Sequence, residues 1–264
     1  MMEIVLVGAG RLATQLGLSL VEAGHRVTAV YSRTMASASA LAAQVGAEAT
    51  DTPARLPLQA DAFIIAVKDT AIAPLLPSLT EGRTGQAFFH TAGSVPMSVF
   101  ESSALSHYGV FYPMQTFSPG RRVSFSDIPV FIEASDEPTL ALAQRLASSV
   151  SSRVSVLSSA DRRHLHLAAV FACNFVNHCY ALSAEVLKGC GLPFDVMLPL
   201  IDETARKVHC LHPLKAQTGP AVRFDGEVIQ AQSRLLASQP QLRQVYDLLS
   251  RSIHESATQQ EPSS

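Results

Sequence analysis

Tryptophan is absent from the 264 residues, and aromatic residues make up only 6% of them. Stacking platforms for single-stranded nucleic acid need such rings, so that class of ligand is disfavoured. Charge is equally scarce: 20 Lys and Arg stand against 22 Asp and Glu, a formal net charge of −2. A balance of this kind lacks the positive field that non-specific nucleic-acid binding requires. The cysteines, Cys173, Cys179, Cys190 and Cys210, include no C-x-x-C pair. They read as reduced thiols of a cytosolic protein, not as a disulfide framework or a structural zinc site. His164 and His166 point apart on a helix, and His209-Cys210-Leu211-His212 has no structural-zinc spacing, so no metal is expected.

No basic leader precedes the first apolar run, so the N-terminus does not read as a secretory signal. The stretch 164–184 carries no Asp, Glu, Lys or Arg but holds three His and two Asn. A buried interior helix is expected there rather than a membrane span. No internal repeat is visible. What remains, 47% hydrophobic and 16% charged, supplies a sizeable core for one to two domains.

Short apolar runs alternate with helical patterns through residue 157. Strands are expected at Glu3–Val7, Arg26–Tyr31, Ala62–Val67, Ala87–His90, Tyr108–Phe111, Pro129–Glu133 and Arg153–Val156. Helices are expected at Leu12–Ala23, Ala36–Val45, Ile72–Leu79 and Pro138–Val150, with a further short one after Pro96. Such alternation predicts an α/β fold with a doubly wound parallel sheet. From residue 158 to 256 the pattern is helical throughout: Ala160–Cys190, Phe194–Val208, Gly226–Leu236 and Pro240–Ser256, with an irregular loop over His212–Pro220. The expected organisation is an α/β domain (1–157), a helical domain (158–256) and a disordered tail (257–264).

Gly8-Ala9-Gly10-Arg11-Leu12-Ala13 follows an apolar strand and opens a helix, which is G-x-G-x-x-A in its proper context. Gly8 allows the tight turn, Gly10 lets the backbone approach a pyrophosphate, and Ala13 permits close helix–strand packing. The free N–H groups at Arg11 and Leu12 then face the phosphates. NAD-binding chains place a carboxylate at the end of the second strand. Here that end reads Ser32-Arg33-Thr34, which suits the 2′-phosphate of NADP, although Arg33 also reads as a surface residue before the next helix. Val67 and Lys68, at the end of another strand, should face the same crevice. Asp69 reads as a helix N-cap.

His90, at the end of an apolar strand, either reaches the nicotinamide or merely ends the strand. His166, Asn174 and His178 form a polar stripe on an otherwise apolar helix. A buried stripe must find partners, so it either serves a ligand or joins helices. Gln115 and Thr116 lie just beyond a strand end, where they could fold over a substrate. Arg223 is placed either to bind a substrate carboxylate or to pair with Asp225 or Glu227.

VGAGRLATQL, Ser32-Arg33-Thr34, FHTAGSVP, YGVFYPMQTFS, LHLAAVFACNFVNH and TGPAVR together resemble a group of NADP-dependent oxidoreductases. Those proteins pair a Rossmann domain with a helical C-terminal domain, and the resemblance spans about residues 3 to 255. More distantly the chain is similar to the superfamily of 6-phosphogluconate dehydrogenase, ketopantoate reductase and pyrroline-5-carboxylate reductase. The resemblance implies a homodimer joined through the helical domain, and the cysteine pattern a cytoplasmic one. The leading expectation is hydride transfer to or from a small polar carbonyl or imine substrate held between the domains. Many superfamily members place a catalytic Lys four residues before an Asn on the first helix of the helical domain. Asn174 matches, but Val170 stands where the lysine would be. His166 or His178 would have to supply the proton instead. The competing reading is a non-catalytic NADP(H)-binding sensor.

Overall fold

The computed structural model describes residues 1–118 and 120–259. The chain forms two compact units, one ending at Asn174 and the other beginning at Phe175. In the first unit β1 (Glu3–Val7), α1 (Arg11–Glu22), β2 (Arg26–Tyr31), α2 (Met35–Val45) and β3 (Glu48–Thr50) follow one another. Next come β4 (Ala62–Ile65), α3 (Asp69–Thr80), β5 (Ala87–His90), β6 (His107–Pro113), β7 (Val130–Ala134), α4 (Glu137–Val150), β8 (Val154–Val156) and α5 (Ser159–Ala169). A 3₁₀ turn at Met97–Ser102 occupies the place of the short helix expected after Pro96.

One sheet of eight strands results, ordered β3-β2-β1-β4-β5-β6-β7-β8. Alternate residues of each strand point to opposite faces. Ile4 and Leu6 pack with Leu16 and Leu20 of α1 and Leu146 of α4. Val5 and Val7 pack with Ile72, Leu76 and Leu79 of α3. Both faces are therefore covered, which explains the unbroken apolar runs of β1 and β4. Two features depart from the sequence expectation. β3 was not expected at all, and β7 runs antiparallel to β6. No helix lies between β6 and β7, and parallel neighbours need a long crossover, so the chain turns straight back.

The first unit extends beyond the expected boundary at residue 157 because α5 is pinned to the sheet. Arg162 has no exposed surface. Its Nη1 donates to Glu133 Oε2 of β7 at 2.6 Å, and its Nη2 to the Val95 carbonyl at 2.7 Å. Beyond α5 the expected continuous helix is interrupted by a π turn at Val170–Phe175. The second unit then contains α6 (Val176–Lys188), α7 (Leu198–Cys210), α8 (Pro213–Ala216), α9 (Gly226–Leu235) and α10 (Pro240–Thr258). The short α8 falls inside the loop expected over His212–Pro220. Ala257 and Thr258, assigned to a disordered tail, continue α10, while 260–264 lie outside the described residues.

The long helix is not the buried interior element the sequence suggested. Asn174, Asn177 and His178 are exposed and His166 is half-buried. The run Ser159–Lys188 is long and apolar enough to cross a membrane by length and composition, and none of its most apolar window is buried. The physical reason is a thin core. Among the described residues of the second unit only Leu187, Ala221, Ser233, Leu236 and Ser250 are buried.

Candidate functional site: two clefts flanking a glycine turn

The turn between β1 and α1 is shaped by backbone demands that only glycine meets. Gly8 sits at φ +121°, in the region that side chains resist. Its N–H donates to the Tyr31 carbonyl at 2.7 Å, and a Cβ there would lie 2.3 Å from the Ala66 carbonyl oxygen. Gly10 precedes α1 with no side-chain cap, and a Cβ at Gly10 would meet no atom within 4 Å. The first N–H groups of α1 are thus left for an anion in open space. Ala13 is fully buried against the sheet. Gly17, one turn further, was not singled out from the sequence. A Cβ on it would press to 2.8 Å from Leu6 Cδ1, so it also sets how closely α1 approaches β1.

A cleft lies on each side of this turn. The first, about 520 Å³, is lined by Gly8, Ala9 and Gly10 together with Ser32, Arg33, Thr34, Val67 and Lys68. No carboxylate lines it. Arg33 is not engaged in any ion pair among the described residues, so its charge remains available to a phosphate. Asp69 is the first residue of α3 rather than its cap, and its carboxylate accepts from the Ser94 hydroxyl.

The second cleft, about 610 Å³, starts at Arg11 and Leu12 and is lined by Tyr112, Gln115, Thr116, His166 and Asn174. Tyr112 is the residue that sequence reasoning overlooked. Its hydroxyl lies 3.2 Å from His166 Nδ1, and the two rings meet edge to face at 6.2 Å. Gly93 makes this pairing possible, since a Cβ there would fall 2.6 Å from His166 Nδ1. Burial raises the pKa of the Tyr112 phenol above its ordinary value. The positive Arg162 opposes that shift, and the negative Asp69 reinforces it. The phenol therefore holds its proton at neutral pH.

Within the first unit, one expected site residue, His90, lines neither cleft. His90 has no exposed surface and stacks on Phe100 at 5.6 Å. Its Nδ1 accepts from the Ala92 N–H at 3.2 Å. Burial, aided by Arg162, lowers its pKa to about 3, so the ring stays neutral at physiological pH. The end of β5 turns this side chain into the core instead of toward a ligand. His178 and Arg223 belong to the second unit. Arg223 pairs with neither Asp225 nor Glu227. The Asp225 carboxylate instead caps α9 by accepting from the Val228 N–H at 3.3 Å. Among the described residues no cluster of three His, Cys, Asp or Glu side chains is placed to hold a metal ion.

Residues 3–88 match the family described as NADP oxidoreductase, coenzyme F420-dependent, and residues 128–253 match a domain of unknown function. The chain is 55% identical to a Bacteroides fragilis protein provisionally assigned as an NADP oxidoreductase. That crystal structure superposes with a TM-score of 0.91 over 96% of this chain and 98% of the other. An imine reductase from Myxococcus stipitatus in complex with NADP⁺ shares the fold at 16% identity and TM-score 0.71, covering 98% of this chain and 95% of that one. So does a reductive aminase from Aspergillus terreus in complex with NADPH and ethyl-5-oxohexanoate, at 14% identity and TM-score 0.68 over the same shares. No curated protein matches the chain.

The sheet and its glycine turn define a dinucleotide-binding protein of the Rossmann type, joined to a helical region. The chain belongs to the NADP oxidoreductase family, and its cofactor is NADP. The uncapped start of α1 and the carboxylate-free cleft around Arg33 fit that cofactor.

Proposed function

We propose that the protein transfers a hydride between NADP(H) and a small polar carbonyl or imine compound held in the cleft of Tyr112 and His166. The observation that carries this reading is the arrangement of the two clefts around one helix start. Arg33, Ser32 and Thr34 would hold the 2′-phosphate, and the backbone from Gly8 to Leu12 the pyrophosphate. The nicotinamide, when bound, supplies or accepts the hydride. Tyr112 donates a proton to the substrate oxygen or nitrogen, and His166 returns one to it through Nδ1. This pair takes the place of the lysine that Val170 replaces. Gln115 and Asn174 supply amide groups that orient the substrate.

Titration with NADPH and NADH, followed by nicotinamide fluorescence, tests the cofactor assignment. Arg33→Ala should weaken NADPH about 10- to 100-fold, the range for a lost charge-assisted contact, and leave NADH unchanged. Equal losses for both nucleotides, or no binding of either, would remove the basis of the proposal. Tight NADPH binding without turnover on any carbonyl or imine would favour the sensor reading.

We also propose a cytoplasmic homodimer joined through the helical unit. Large apolar side chains such as Phe175, Leu192, Leu200, Val208, Leu235 and Leu248 stand about half exposed or more, around a core of very few buried residues. A unit of this size cannot stabilise itself on so little burial, and a second copy presents the same apolar surface. Light scattering should give twice the mass of one chain; a stable monomer would contradict the reading.

A further inference from the structure

The helical unit contains a cavity of its own, about 550 Å³ in volume. Arg223, His254, Gln217, two serines and a threonine line it beside the apolar Leu214, Val222, Ile253 and Ala257. None of these residues lines either cleft of the first unit. The volume lies in the range of sites for small organic molecules, which combine apolar walls with a few polar groups.

Three observations make this more than a surface depression. The first is the unspent charge of Arg223, which enters no hydrogen bond or ion pair among the described residues. Its near neighbour Asp225 is committed to capping α9.

The second is the strained turn that carries Arg223. Phe224 adopts φ +51°, a left-handed conformation that costs a bulky aromatic residue. The turn is closed by the Asp225 N–H donating to the Pro220 carbonyl at 3.0 Å. It is held further by the Phe224 ring, which stacks on His254 at 4.4 Å. A strained conformation kept in place by surrounding contacts is common where a side chain must be presented to a ligand. The third observation is His254 Nδ1, sealed from solvent with no hydrogen-bond partner.

We infer that this cavity binds a small organic carboxylate, with the anionic group on Arg223 and the hydrocarbon body against Leu214, Val222 and Ile253. A single guanidinium suits one singly charged carboxylate better than a doubly charged phosphate, and Leu214, Val222, Ile253 and Ala257 give a short apolar chain something to lie against within an otherwise polar lining. The lining belongs to the second unit alone, and the inference stands whether or not the hydride-transfer reading holds.

Calorimetric titration of the full chain with hexanoate, hexanol and methyl phosphate tests it. Hexanoate should bind at least about tenfold more tightly than hexanol, with methyl phosphate the weakest. Arg223→Gln should lower hexanoate affinity about 10- to 100-fold and leave hexanol and NADPH binding unchanged. Ile253→Phe, which fills the cavity, should weaken hexanoate and hexanol together. Unaltered thermal unfolding of each variant would exclude loss of the fold as the cause. Equal affinity for hexanoate and hexanol, or indifference of hexanoate to Arg223→Gln, would overturn the inference. So would the absence of hexanoate binding, or a preference for methyl phosphate.

Discussion

Replacing Arg162 with methionine is expected to lower the melting temperature by roughly 6–20 °C. The side chain is fully buried and donates to Glu133, to the Val95 carbonyl and to Ser159 Oγ. Glu133 is only 17% exposed and also accepts from the Ser159 N–H and hydroxyl. Removing the guanidinium strands that carboxylate in a poorly hydrated place. Breaking one side of such a pair costs about 3–5 kcal/mol, and each kcal/mol shifts the midpoint by about 2–4 °C at this size. Replacing both residues, as Arg162→Met with Glu133→Leu, should restore most of the loss, because the pair also carries its own desolvation cost. Differential scanning calorimetry on the two variants decides the matter. A single variant within about 1 kcal/mol of the parent would show that the network is not what ties α5 to the sheet.

Tyr112→Phe is expected to reduce kcat by about 10²- to 10⁴-fold, the usual worth of a positioned proton donor, with little change in NADPH affinity. The substitution keeps the ring that packs against His166 and removes only the hydroxyl. Initial rates on cyclic imines and small ketones would measure the first effect, and nicotinamide fluorescence the second. An unchanged kcat would take Tyr112 out of the chemistry. The pH profile carries a further signature. Because burial raises the phenol pKa, the donor keeps its proton beyond the ordinary tyrosine value of about 10. In the parent protein, loss of the Tyr112 proton should therefore contribute no falling limb below about pH 10.

The glycine turn was legible in the sequence because its physics is local. An apolar strand, two glycines and a small residue three positions after the second form one contiguous run, with Gly8 fixed by its backbone and Ala13 by close packing. The alternation of β1, β2, β4 and β5 with helices was readable for the same reason, while the three-residue β3 was not. The direction of β7 was not, since side-chain alternation is identical in either direction and only the absent crossover helix decides it. Tyr112 and His166 stand 54 residues apart, and Arg162 and Glu133 are 29 apart. No spacing rule joins such pairs. Arg162 itself lies in Asp161-Arg162-Arg163, which reads as a solvated first turn until the sheet behind it is known. His90 misled in the opposite direction. A strand end can turn its last residue either toward a ligand or into the core, and the chain offers no local sign of which.

The π turn at Val170–Phe175 gives the long helix a property that depends on counting rather than on chemistry. Eight residues of regular α-helix would set Asn174 about 80° around the axis from His166. One surplus residue taken up by a wider turn removes about 100° of that rotation and brings the two nearly into line. Both then border the same cleft. Their alignment is a matter of phase, encoded in the number of residues between them and not in which residues those are. Exchanging Phe171 or Ala172 for other side chains leaves the phase intact. Deleting either one removes the surplus residue, and seven steps of regular helix keep the two about 20° apart, whereas inserting one more residue would swing Asn174 about 100° away from the histidine. This stretch of chain should therefore tolerate drift in composition and loss of the surplus residue, but not the gain of another.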